Sequence, residues 1–531
     1  EGEATLPDAL ERLAGTLDLT RLDGVPGALV RTPEGGFTRG PARDRIADLA
    51  SLPSPYLTGL FDHLDGGALG LMAVETNRGC PYGCSFCDWG SATMSRIRMQ
   101  PMERVLAELD WIADRDVGTL FIADANFGVM ARDVEIARHV ADLRRRVGAP
   151  RAVLSSFAKN TIKHSKEIVE TWVRSGISTE GSVALQTTDP ATLENIARKN
   201  IRIEKYDALA EEFLRLGLPV ATDLMLGLPG STVASFKADL QRCIDSDVTA
   251  RIYPTVVLPN APMNDPAYRA RFQLVVDDDQ VVVETSSFDA AAYAEMLRVR
   301  RAFRAGEHFG VVRHVVRYVE HQTGISAIDQ LDAMSVAGRD DPDRWPGLRW
   351  FTHHLVRWTV PPAGWRPLLE EVRAFVTTEL GAPEEPGLDV VLAVQEALLP
   401  WSGRAFPDVV RLEHDYVRWY RTVLRAPAPG PSASAPQLTD LAPATLEVSE
   451  LNDRRVRLRW GAVRRRPRVG FTAQHIQDYL TSCRSSPNYP SRPRSPTTGP
   501  ARAPHDGSPT TDTPDPPAAP RTRPTGGSPR G

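Results

Sequence analysis

Cys80, Cys84 and Cys87 stand in the run Thr76-Asn-Arg-Gly-Cys-Pro-Tyr-Gly-Cys-Ser-Phe-Cys-Asp-Trp-Gly90. The spacing is C-x3-C-x2-C, so one short loop delivers three thiolates and no fourth. Thiolates are the ordinary ligands of iron–sulfur clusters, and a [4Fe–4S] cluster normally takes four of them. Three leave one iron with an open position, and an open metal position is where substrate or cofactor chemistry takes place.

Other readings of this loop are weaker. A structural zinc site wants four ligands, usually as two spaced pairs, yet Cys243 and Cys483 are single and distant and no histidine lies between residues 64 and 138. A disulfide framework suits a small secreted chain, not one of 531 residues with five cysteines. Gly79, Pro81 and Gly83 make the run a tight loop rather than a core strand. Cys243 reads differently: it falls on the apolar stripe Val233, Phe236, Leu240, Cys243, Ile244 of a helix and is a core residue.

The elements around the loop alternate. Gly70–Thr76 reads as a strand that feeds the cysteines, followed by a helix from Pro101 with Val105, Leu109 and Ile112 on one face. Further strands are expected at Thr119–Ala123, Ala152–Ser156, Ser182–Leu185, Val220–Leu226 and Arg251–Leu258. Helices are expected between them: one carrying Ile136, Val140, Leu143 and Val147, then 163–175, 190–199, 204–216 and the one around Cys243. Such alternation with short loops implies parallel strands joined by right-handed crossovers. The expected fold class is α/β: a partial (β/α)6 barrel of the TIM type, with a mostly helical accessory region behind it. In such barrels chemistry gathers at the carboxyl ends of the strands, where the cysteine loop falls.

Composition narrows the class further. With 42% hydrophobic residues, 24% charged residues and a net charge of −4, the chain has material for two or three globular domains and no electrostatic case for nucleic acid. No apolar run approaches the roughly 18 residues that span a membrane. A thiol-ligated cluster with an open iron suits a reducing cytoplasm. The chain opens Glu1-Gly2-Glu3, without methionine, which suggests a fragment. From Cys483 to Gly531 there is no Val, Ile, Leu, Met, Phe or Trp, and the stretch after Leu480 holds 13 prolines. Such a tail cannot bury enough apolar surface to offset its ordering entropy and is expected to be disordered.

The cysteine loop resembles the signature of the radical S-adenosylmethionine (SAM) enzymes. That resemblance implies a [4Fe–4S] cluster on Cys80, Cys84 and Cys87, SAM on the open iron, an electron donor such as flavodoxin or ferredoxin, and cleavage of SAM to a 5′-deoxyadenosyl radical. It also nominates SAM contacts. Phe86 takes the place of an aromatic residue against the adenine. Asp124 or Asn126, in Ala123-Asp-Ala-Asn-Phe-Gly128, stand where many members carry Gly-Gly-Glu, and either can accept hydrogen bonds from the SAM ammonium. Ser156 and Gln186 are candidates for its ribose and carboxylate, and Gly227 and Pro229 of Leu226-Gly-Leu-Pro-Gly230 for the adenine side. Many relatives have glutamate where Ser231 stands.

Further runs resemble the cobalamin-binding branch of that family: Cys87-Asp-Trp-Gly90, Leu185-Gln-Thr-Thr-Asp-Pro190, Arg198-Lys-Asn200 and Leu258-Pro-Asn-Ala-Pro-Met263. The implied activity is cobalamin-dependent methylation of carbon in a peptide or other natural product. The implied organisation is the end of a cobalamin domain with its linker over 1–65, a radical SAM core over 66–290, a helical accessory domain over 291–424 and a linker with a disordered tail over 425–531. A cobalamin domain needs on the order of 100–150 residues, which this chain does not supply. A radical SAM cyclase or rearrangement enzyme, and an inactive iron–sulfur or peptide-binding fragment, are the alternatives. No catalytic residue beyond the cluster ligands can be named.

Overall fold

Residues alternating between β-branched runs and amphipathic stripes fold into the expected parallel units. The computed structural model describes residues 2–16, 18–32, 34–64, 70–88, 96–158, 163–179, 181–215, 220–353, 364–399, 405–424 and 436–448. The expected tail over 483–531 and most of the linker after residue 425 lie outside them, as does the loop from 89 to 95. All described residues fall within one compact unit, residues 1–489.

Six strand segments carry the site: β1 (Leu71–Val74), β2 (Thr119–Phe127), β3 (Ala152–Phe157), β4 (Gly181–Ser182), β5 (Val220–Leu226) and β6 (Thr249–Pro254). β1-β2-β3 form one parallel sheet and β4-β5-β6 another. Just before β4, Ser178 makes an isolated bridge to the edge of β3: its N–H donates to the Arg151 carbonyl at 2.8 Å and its carbonyl accepts from Val153 at 2.9 Å. The crossovers are α1 (Met102–Asp114), α2 (Arg132–Val147), α3 (Lys163–Arg174), α4 (Pro190–Asn195), α5 (Ile203–Arg215) and α6 (Val233–Asp245).

The helices bury most of the faces that their periodicity marks, although Val147, expected on the inward stripe of α2, is exposed at the helix end. Val105, Leu109 and Ile112 of α1 and Ile136, Val140 and Leu143 of α2 are buried against the sheet. Trp172 of α3 stacks on Phe127 with ring centroids 5.8 Å apart, and its indole N–H donates to the Ala137 carbonyl at 3.1 Å. One side chain thus ties α3 to β2 and α2. Cys243 is buried on α6, where burial pushes its thiol pKa up.

Three boundaries depart from the sequence expectation. β2 continues to Phe127, past the expected end at Ala123, because its register with β3 shifts between Ile122 and Phe127 and the intervening residues bulge. β4 stops after Ser182; Gln186 rejoins β5 only through an isolated bridge to Leu224, its backbone at φ +67°. β6 ends at Pro254, since Val256 turns to bridge Val281 instead.

Behind the sheet lie α7 (Ala290–Phe303), α8 (Arg313–Thr323), α9 (Ala327–Asp340), α10 (Pro346–His353), α11 (Trp365–Thr378) and α12 (Pro386–Leu398). Trp345, Trp350 and Trp365 are buried among them as core residues; Trp358 lies outside the described residues. Periodicity did not anticipate the antiparallel pair Asp408–Leu412 and Ala444–Val448. At the other end, residues 2–64 hold the helix Gly2–Leu13 and the short hairpin Leu29–Arg31/Phe37–Arg39. This segment is tied to β1 and its loop: the Tyr56 hydroxyl donates to the Ala73 carbonyl, and Arg78 pairs with Glu3 at 2.7 Å.

Candidate functional site

The cysteine loop leaves β1 at its carboxyl end and is pinned from several elements. Asp124 of the β2 bulge accepts from the Thr76 N–H (2.8 Å), the Thr76 hydroxyl, the Asn77 N–H (3.2 Å) and the Asn77 side-chain amide (2.7 Å). Burial nevertheless dominates and pushes its carboxyl up to about 7. On the far side, the Ser85 N–H donates to the Ile196 carbonyl (2.9 Å) and the Met263 N–H to the Ser85 carbonyl (2.7 Å). The loop after the last strand therefore reaches back to the loop after the first.

Cys80, Cys84 and Cys87 are half-exposed thiols on this loop. Cys80 and Cys84 face nitrogen donors. The Asn126 amide donates to Cys80 Sγ at 3.2 Å, and Arg198 Nη1 to Cys84 Sγ at 3.7 Å. Among the described residues no three His, Cys, Asp or Glu side chains converge on a point that would hold a single metal ion. A four-iron cluster is wider than an ion and takes its thiolates from further apart, so a three-thiol loop with N–H donors beside the sulfurs fits a cluster by its donor chemistry.

The nominated residues divide. Asn126, buried, meets a cysteine. Asp124 does not face an outside group: both its oxygens hold the start of the cysteine loop. Phe86 is half-buried against the core. Ser156 lines a cavity of about 360 Å³ on the inner face of the sheet, together with Phe121, Ser155, Thr179, Asp223 and Arg251. In that cavity Arg251 pairs with Asp223 at 2.7 Å and donates to the Ser182 hydroxyl at 2.5 Å. The hydroxyls of Ser155 and Thr179 find no hydrogen-bond partner among the described residues. Gln186 gives its backbone to β5, donating to the Asp223 carbonyl at 2.7 Å and accepting from the Met225 N–H at 2.8 Å.

Gly227 and Gly230 frame the turn after β5 with φ of +87° and +102°. At φ +102° Gly230 occupies backbone that side chains rarely adopt, and a Cβ there would also crowd the Asn195 amide nitrogen at 2.6 Å, so the position favours glycine. That amide donates to the Pro229 carbonyl at 3.3 Å, while the Asn195 carbonyl accepts from the Tyr268 hydroxyl at 2.9 Å, itself 2.9 Å from the Ser85 hydroxyl. The glycine turn is thus linked through Asn195 and Tyr268 to the cysteine loop. Neither residue stood out in the sequence. Arg198 stood in a quoted run without a role; its only sequence signal is a basic residue just past a helix end.

The family model of the Radical SAM superfamily matches residues 74–243, which span the strands and crossovers from β1 into α6. Residues 74–243 are thus similar to a family that works with a [4Fe–4S] cluster and SAM. It is 38% identical over 328 residues to the 2-(S-pantetheinyl)-carbapenam-3-carboxylate methyltransferase of Streptantibioticus cattleyicolor, covering 59% of this chain and 48% of that one. It is 35% identical over 350 residues to the cobalamin-dependent radical SAM methyltransferase TokK of Streptomyces tokunonensis, covering 61% and 51%. The chain spans about half the length of these curated relatives. Among solved structures, the cobalamin-dependent radical enzyme OxsB with aqua-cobalamin superposes with a TM-score of 0.43 at 14% identity, over 75% of this chain and 67% of that one.

Proposed function

We propose that Cys80, Cys84 and Cys87 hold a [4Fe–4S] cluster with one open iron, that SAM binds there, and that the protein takes part in cobalamin-dependent methylation of carbon in a small natural product. The observation that carries this reading is the half-exposed thiol loop at the carboxyl end of β1, with nitrogen donors against the Cys80 and Cys84 sulfurs. When bound, the cluster and SAM supply one-electron cleavage chemistry, and cobalamin supplies a methyl carrier.

The chain's own residues then have distinct tasks. Asp124 fixes the loop through Thr76 and Asn77. Phe86 offers an apolar face to an adenine ring. Asn126 and Ser156 offer polar atoms at the rim and in the cavity, Gln186 offers its side chain beside β5, and the Gly227–Pro229 turn offers backbone at close approach. The unpartnered Ser155 and Thr179 hydroxyls suit a polar group in the cavity. A relative that acts on a carbapenam carboxylate favours a small molecule over a peptide as substrate. The division into a core over 66–290 and a helical region over 291–424 belongs to the same proposal. Among the described residues no helix is long and apolar enough to cross a membrane.

Anaerobic reconstitution with iron and sulfide, with and without added cobalamin, tests the reading. About four irons per chain are expected, with uptake lost in Cys80→Ala, Cys84→Ala and Cys87→Ala and corrinoid retained on gel filtration. Iron uptake unchanged in all three variants would remove the ligand assignment.

A further inference from the structure

We infer that Arg198 is a positioning residue whose buried positive charge, held against Cys84, favours the reduced state of the cluster. The inference rests on the iron–sulfur reading of the three cysteines. Arg198 is only 7% exposed. Buried charges are ordinarily paired, yet among the described residues no carboxylate forms an ion pair with it. Its neighbours are neutral or sulfur: Nε donates to Asn200 Oδ1 at 2.7 Å, Nη2 to the Ala184 carbonyl, and Nη1 to Cys84 Sγ at 3.7 Å.

The guanidinium is also locked in place. Asn200 is fixed by its amide to the carbonyls of Leu185 (2.8 Å) and Thr187 (2.9 Å). The Arg198 N–H donates to the Leu193 carbonyl at 2.9 Å, just after Ala197 at φ +51°. A cation fixed in this way, without a carboxylate, has the thiolate side as its counter-charge. A thiolate-ligated cluster is anionic, and one electron from an external reductant makes it more so. A fixed positive charge in a poorly solvated site stabilises the more negative state and raises the reduction potential. The Asn126 amide at Cys80 is a neutral donor; Arg198 adds a full charge.

The test is potentiometry of the reconstituted full chain without SAM, with dithionite as reductant and the reduced cluster followed by electron paramagnetic resonance. Arg198→Gln is expected to load iron like the wild type but to hold about tenfold less reduced cluster relative to oxidised at the wild-type midpoint, a fall of about 59 mV for one electron. Arg198→Lys, which keeps the charge and loses the fork, is expected to stay near the wild-type midpoint. A wild-type midpoint in Arg198→Gln overturns the inference alone. If the Gln variant does not fold, Arg198→Lys decides: a retained midpoint supports the charge account, and a tenfold loss overturns it. A wild-type chain that takes up no iron removes the iron–sulfur reading itself.

Discussion

The rim that carries the thiols and the helical layer from α7 to α12 are both well packed, but different forces hold them. At the rim, polar side chains do most of the positioning: Asp124 gathers Thr76 and Asn77, and Asn200 and Arg198 hold the chain after α4. Its backbone sits at positive φ at Gln186 and Ala197, outside glycine. The helical layer is closed by apolar burial of Trp345, Trp365, Leu348 and Val372. Its most deeply buried charges form a tetrad in which Arg313 and Arg317 face Glu307 and Asp247. Cations match anions in the tetrad, whereas at the rim Arg198 faces sulfur. The tetrad closes its charges on one another, although Asp247 too sits at positive φ (+55°), whereas among the described residues Arg198 at the rim has no carboxylate.

Substitutions can break this contrast at either end. The largest effect is all-or-none: Cys84→Ala should lose the cluster by iron analysis while its urea midpoint, measured without metal, stays near that of the apo wild type. Arg317→Met strikes the opposite region. It leaves Glu307 and Asp247 sharing one cation, and should lower unfolding stability by about 3–5 kcal/mol in urea titrations, without changing the cluster's spectrum.

A pH dependence distinguishes the helical layer more finely. His314 is buried, with Nδ1 2.8 Å from the Tyr416 hydroxyl, and burial beside Arg313 and Arg317 holds its pKa down to about 3. The unfolded chain takes up this proton near pH 6.5. The contribution of the neutral ring is therefore complete above about pH 6.5 and is lost as pH falls towards 3, a few kcal/mol in all. His314→Gln should flatten the loss between pH 6.5 and 5. A slope equal to that of the wild type would show that other groups set it.

Smaller effects sharpen the comparison. Asp124→Ala leaves buried donors of Thr76 and Asn77 unsatisfied and should cost about 1–3 kcal/mol, with slower iron uptake as the rim-specific sign. Glu167→Ala removes an ion pair to Arg138 at 2.5 Å whose side chains are 46% and 63% exposed. It should change stability by less than about 1 kcal/mol and leave cluster loading untouched.

The sequence made the strands and crossovers legible because their periodicity is set by burial on one or two faces: Val220–Leu226 matches its expected bounds, and Ile136, Val140 and Leu143 point inward as their spacing requires. The three cysteines could be proposed as a ligand set because their spacing lies within one loop and is local. What failed was non-local. The β2 bulge, the early end of β4 and the turn at Val256 depend on which neighbour a strand meets. The role of Asp124 as a clamp on β1, and the meeting of Arg198 with Cys84, join residues far apart in the chain. No pattern along either segment records those contacts.

The central claim is that the thiol loop supports reductive cleavage of SAM. The most direct measurement incubates the reconstituted chain anaerobically with dithionite and SAM and quantifies 5′-deoxyadenosine, beside Cys80→Ala, Cys84→Ala and Cys87→Ala. The account predicts nucleoside from the wild type and none from the three variants. No nucleoside from a wild-type chain with its cluster intact, or undiminished nucleoside from any variant, would contradict it.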